Sequence, residues 1–112
     1  MFNLTFRSNT SSSLVAFKTD VGFLIREGEH VTLMCFAASE VWLNVSWSVE
    51  TIEGEQFFNN TRFTVGHDGK HWYSGLILKN FDYRDCGTYS CKVEAHGSSK
   101  QLLLPLAIDG TC

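Results

Sequence analysis

Asp85-Cys-Gly-Thr-Tyr-Ser-Cys91 is the stretch from which the fold can be read. From it onward, Tyr89, Cys91 and Val93 occupy alternate positions, while the positions between them, Thr88, Ser90, Lys92 and Glu94, are polar. A period of two puts each set on its own face of an extended chain, so the segment predicts a strand buried on one side and wet on the other. Outward from it the same pattern recurs. Val31, Leu33 and Cys35 share one parity, as do Val45, Trp47 and Val49, and Leu76 with Leu78, while Ser46, Ser48 and Glu50 take the opposite one. Several half-wet strands of this kind bury their apolar faces by packing as two antiparallel sheets, so the expected class is an all-β sandwich.

The strands are expected at 14–17, 21–25, 30–37, 45–50, 56–58, 62–65, 72–78, 88–95 and 100–108. Between them lie turn formers, Glu27-Gly28, Glu53-Gly54, Asp68-Gly69 and Gly97-Ser98, of which Asp68-Gly69 is the strongest hairpin signal. Residues 1–13, rich in Ser, Thr and Asn, read as a lead-in, either partly disordered or a short first strand. Residues 14–112 read as one domain, since 112 residues enclose a single core and no more.

Read together, Glu27-Gly-Glu-His-Val-Thr-Leu-Met-Cys35, Trp47, Leu76-Ile-Leu78 and the opening motif resemble the immunoglobulin superfamily. The resemblance implies a bridge from Cys35 to Cys91 beside a buried Trp47, with Leu76 and Leu78 in the core. Tyr89 would send its hydroxyl back to the backbone. Arg62 and Asp85 take the places of an ion pair that closes the bottom of the sandwich in variable-type domains. Only a short interval separates Trp47 from Arg62, so the chain resembles an I-set domain or a V-set domain with a trimmed middle.

Cys86 stands where the family has a small residue. With a hairpin turn at Gly97-Ser98, residue 86 falls roughly opposite residue 109, and a bulge at Pro105 would bring Cys112 alongside. A second bridge, Cys86 to Cys112, is therefore expected, the alternative being a bond from Cys112 to another chain or domain.

Two features point to an oxidising, extracellular setting. The four cysteines form an even set with no Cys-x-x-Cys pair, which favours disulfides over zinc or redox chemistry. Asn3, Asn9, Asn44 and Asn59 each open an Asn-x-Ser/Thr glycosylation sequon and account for four of the six asparagines. No signal peptide is visible, and both ends read as cut from a longer protein, so an anchor or neighbouring domain is expected outside this sequence. The reading is an ectodomain of a cell-surface protein, or a secreted one.

Other classes have little support. A net charge of −3 with scattered Lys and Arg offers no basic stripe for nucleic acid. No apolar run is long enough to enter a membrane. His67-x-x-x-His71 has a metal-ligand spacing only on a helix, and it straddles an Asp-Gly turn. No catalytic constellation, cofactor site or metal cage is evident, so no enzyme is expected.

Recognition remains. The resemblance implies binding through the face of the family's G, F, C and C′ strands, which here carries Ser46, Ser48, Glu50, Ser90, Lys92 and Glu94, with Phe57 or Phe58 from C′. Tyr73 and Ile77 on the opposite sheet are a competing site. The expected partner is another protein, an immunoglobulin-like domain in cis or trans or a copy of the chain itself. Cell adhesion, including self/non-self recognition, is the leading role. A soluble decoy or immune modulator and a spacer in a longer ectodomain are the alternatives.

Overall fold

In the computed structural model the backbone is described for residues 3–10, 13–17 and 23–108, and the side chains from residue 25 to residue 108. Among the described residues ten strands form two sheets: β1 (Asn3–Thr10), β2 (Ser13–Phe17), β3 (Phe23–Ile25), β4 (Val31–Ala38), β5 (Asn44–Thr51), β6 (Gly54–Phe57), β7 (Phe63–Asp68), β8 (His71–Leu78), β9 (Gly87–Ala95) and β10 (Ser98–Ile108). One sheet has the order β2-β1-β4-β8-β7 and the other β3-β10-β9-β5-β6. All neighbours are antiparallel except β3, which runs parallel to β10.

Residues 1–13 are expected to be either partly disordered or a short first strand, and the second alternative describes residues 3–10. Asn3–Thr10 is a strand paired with β4 on one side and β2 on the other. Leu4 and Phe6 alternate there with Thr5 and Arg7, a period of two hidden by the polar composition.

Turn chemistry sets the registers. His96 and Gly97 both have positive φ, as a two-residue type I′ connection between β9 and β10 requires. From that turn the β9–β10 register runs unbroken through Thr88↔Pro105 to Gly87↔Leu106. No bulge interrupts it at Pro105, which corrects the expected shift. Pro105 fits because β3 joins the far side of β10 only from Leu106.

The core lies where the alternation puts it. Val31, Leu33, Cys35, Leu76 and Leu78 face Trp47, Val49, Tyr89, Cys91 and Val93, and all are buried. Cys35 and Cys91 are joined across the sheets with their Cα atoms 6.5 Å apart. Leu102, Leu104, Leu106 and Ile108 add the inner face of β10, and Leu43 and Phe81 close the core from connections. Phe81 is held by backbone bonds with Glu29 and Gly28. Loop position gave no periodic signal for it.

Candidate functional site

Register places the expected recognition residues side by side on the outer face of β10-β9-β5-β6. Ser46 lies opposite Lys92, Ser48 opposite Ser90, Glu50 opposite Thr88, and Asn44 opposite Glu94. Phe57 faces Ser48 from β6, and Leu103 faces Ser90 from β10. The middle row therefore reads Leu103, Ser90, Ser48, Phe57. Its ends stand out, Phe57 being 70% and Leu103 44% exposed, while both serines are buried. Larger neighbours cover these small side chains: Ser48 Oγ donates to Glu55 Oε2 at 3.1 Å and Ser90 Oγ to Gln101 Oε1 at 3.3 Å. The face is polar along its middle, with an exposed apolar side chain at each end of the row.

Charge is divided across that row. Lys92 lies on the side nearer the β9–β10 turn, where its Nζ is 3.8 Å from Glu94 Oε1. On the other side Glu50 and Glu55 are direct cross-strand neighbours. Like charges in that position repel, and neither has a cationic partner among the described residues.

The choice between Phe57 and Phe58 is resolved by the strand pleat. Phe57 points to solvent, whereas Phe58 packs on the core and stacks against Tyr89 with ring centroids 6.1 Å apart. Leu103 was missed in the sequence although the alternation through Leu102, Leu104 and Leu106 gives it outward parity.

Arg62 and Asp85 do not form the expected ion pair. The Arg62 guanidinium lies 5.3 Å from the centre of the Phe58 ring, and Asp85 accepts from the Asp82 backbone N–H at 2.9 Å. Asp85 is committed to a capping box on the short 3-10 turn Tyr83–Asp85, in which Asp82 accepts from the Arg84 N–H. The Arg84 side chain, then its backbone N–H, holds the Asp82 carboxyl below the usual carboxylate range. Arg62, Phe58, Leu78, Asp85 and Tyr89 line an opening of about 670 Å³ at this end of the sandwich, where no strand of the described residues follows β6 in its sheet.

Tyr89 donates its hydroxyl to the Asp85 carbonyl at 2.6 Å. Burial, then the Asp85 charge, pushes its pKa upward. Cys86 is disulfide-bonded as well. Cys112, its expected partner, lies outside the described residues.

At the opposite end His67 stacks on buried Trp72 at 4.4 Å, and Trp42 meets both rings edge-on. His67 and His71 straddle the turn, with Asp68 opposite His71. No group of three or more His, Cys, Asp or Glu side chains could hold a metal ion among the described residues. Tyr73 and Ile77 lie on the outer face of the other sheet and are about half exposed. Tyr73 extends over Gly66, where a Cβ would meet its ring at 2.5 Å.

Among the sequons, Asn44 and Asn59 are exposed. Thr61 donates its backbone N–H to Asn59 Oδ1 at 3.0 Å, and its hydroxyl reaches the same oxygen. Asn3 and Asn9 are in register with Ala38 and Thr32, and their side chains lie outside the described set.

A disulfide across two sheets, a buried tryptophan beside it, and a tyrosine tied to the backbone four residues before it form one constellation. The sequence profile of the immunoglobulin domain matches residues 22–103. The chain belongs to the immunoglobulin domain family. Two solved structures show its likeness of fold. One is a twitchin kinase fragment from C. elegans, described as an autoregulated protein kinase with immunoglobulin domains. It has 15% identity and a TM-score of 0.56 over 79% of this chain and 19% of its own. The chain thus spans about a fifth of that fragment. The other is titin M4, with 10% identity and a TM-score of 0.58 over 95% of this chain and 99% of its own. No curated protein matches the sequence. Immunoglobulin domains are in general non-enzymatic and serve protein binding or structural roles. No helix among the described residues is long and apolar enough to cross a membrane.

Proposed function

We propose that this immunoglobulin domain is an extracellular recognition or adhesion module that binds another immunoglobulin-like domain through the outer face of β10-β9-β5-β6. One observation carries the reading: Phe57 and Leu103 stand exposed at the two ends of a row whose middle is two buried serines. Aromatic and aliphatic anchors in a polar field suit a specific, transient contact. The extracellular setting is supported by the Cys35–Cys91 bridge, the second disulfide cysteine Cys86, and the exposed sequons at Asn44 and Asn59. Cys112 is the proposed partner of Cys86, and peptide mapping without reduction tests that bond directly.

The test of recognition uses the glycosylated domain, clustered on beads and applied to a panel of immobilised immunoglobulin-domain ectodomains that includes itself. Phe57→Ser and Leu103→Ser lose the binding seen with the native chain, whereas Tyr73→Ser keeps it. The opposite pattern moves the site to the other sheet. Absence of binding across the panel overturns the reading in favour of a spacer.

A further inference from the structure

We infer that the partner fitting this face is a second copy of the chain, turned by a two-fold axis that lies in the interface parallel to the row Leu103, Ser90, Ser48, Phe57. The inference rests on the recognition face proposed above and adds the partner and its orientation.

The argument is one of charge and register. A two-fold axis along that row leaves the row facing itself and exchanges the sides above and below it. Phe57 then meets Phe57, and Leu103 meets Leu103. Lys92, on one side, comes down over Thr88 and beside Glu50 on the other, since Thr88 and Glu50 are cross-strand neighbours. Glu50 and Glu55 are like charges directly opposite across the β5–β6 ladder, and neither has a cationic partner among the described residues. In the pair they receive one, and by symmetry they receive it twice. Lys92 is available for this role, because its contact with Glu94 is long and both side chains are about half exposed.

The other two-fold orientation, with the axis along the strands, puts Lys92 opposite Ser46 and close to the second Lys92, and it leaves the acidic pair uncompensated. Electrostatic complementarity selects between the two. Asn44 lies two residues beyond Ser46, at the end of β5 away from the acidic pair, so in the chosen orientation its glycan sits at the margin. Four strands about 4.8 Å apart, β6 in contact over its four residues and the other three over five or six each, cover roughly 350 Å² per copy. That is about half of a standard interface, so the pair is weak and acts when copies are clustered.

Sedimentation equilibrium of the glycosylated domain, carried to high concentration, tests this. The native chain dimerises. Phe57→Ser, Lys92→Glu and Glu50→Lys each weaken the dimer by about tenfold or more. An equimolar mixture of Lys92→Glu and Glu50→Lys chains associates again, because every interfacial pair is then opposite in sign, and so does the chain carrying both changes. All three positions are at the surface, and equal melting temperatures establish that the variants are folded. A native chain that stays monomeric, or single swaps that weaken it while the mixture stays monomeric, overturns the pairing. If the native chain is monomeric but binds another ectodomain in a Phe57-dependent way, the recognition face stands and only the self-partner falls.

Discussion

Trp47 donates its indole N–H to the Ser74 hydroxyl at 2.8 Å, a buried bond that ties β5 in one sheet to β8 in the other. The Ser74 hydroxyl in turn donates a hydrogen bond to the Thr64 carbonyl at 2.6 Å, so the link continues into β7. Removing the hydroxyl strips a buried donor of this acceptor and the Thr64 carbonyl of this donor. Ser74→Ala therefore lowers unfolding free energy by about 1–3 kcal/mol in denaturant titrations. Against a Trp47→Phe background the same change costs measurably less, because the indole donor is gone.

The Cys35–Cys91 bond spans a sequence separation of 56 residues. On the chain-entropy estimate, closing such a loop contributes about 4 kcal/mol, much of the stability of a domain this size. Replacing both cysteines with alanine lowers the denaturant midpoint accordingly, with a small further cost for the lost sulfur packing. An unfolding free energy lowered by less than a quarter of that amount would show that the chain without the bond keeps the same constraint by packing alone.

Gly87, in the middle of the motif that opens β9, has a steric rather than a conformational reason. A Cβ there would stand 2.6 Å from the Glu50 carbonyl oxygen and 2.9 Å from a Val49 methyl. The first obstacle is backbone and cannot rotate away. Gly87→Ala is expected to cost about 1–3 kcal/mol and to speed amide exchange where β5 meets β9. At Gly75 the nearest atom is the Met34 sulfur at 2.8 Å, the movable end of a side chain, so Gly75→Ala is milder.

Tyr89 makes stability fall in alkali. Its phenol titrates near the ordinary tyrosine value of about 10 when unfolded, and burial, then the neighbouring Asp85 charge, raises it in the folded state. The stabilising contribution is complete below pH 10 and is lost as pH rises toward the folded value, since only the unfolded chain releases the proton. Unfolding free energy then drops by about 1.4 kcal/mol per pH unit above pH 10. Tyr89→Phe is less stable at neutral pH by about 1 kcal/mol, for the lost bond to Asp85, and its alkaline slope is shallower by that one proton.

The inward residues of β4, β5, β8 and β9 were legible because burial on one face forces a period of two, and Val31, Trp47, Leu76 and Cys91 keep to it. β1 was legible only as one of two alternatives, since its alternation is carried by few apolar residues among Thr, Ser and Asn. On the candidate site, parity assigned Ser48, Ser90 and Lys92 correctly to one face. It could not show that Phe57 faces out while Phe58 packs inward, because that depends on where β6 ends. Nor could spacing show what Arg62 touches, since a long side chain chooses among neighbours that only the fold brings near.

Arg62 gives the sharpest test of that choice. Its guanidinium lies over Phe58, while Asp85 is engaged by the Asp82 backbone. An exposed cation over an aromatic face is worth about 0.5–1 kcal/mol. A double-mutant cycle between Arg62→Ala and Phe58→Leu should therefore show coupling of that size. The cycle between Arg62→Ala and Asp85→Asn should show coupling within about 0.3–0.5 kcal/mol of zero, the spread expected of independent sites. The reverse result would mean that Arg62 leaves the ring in solution and closes on Asp85. The opening between β6 and the turn Tyr83–Asp85 would then be shut.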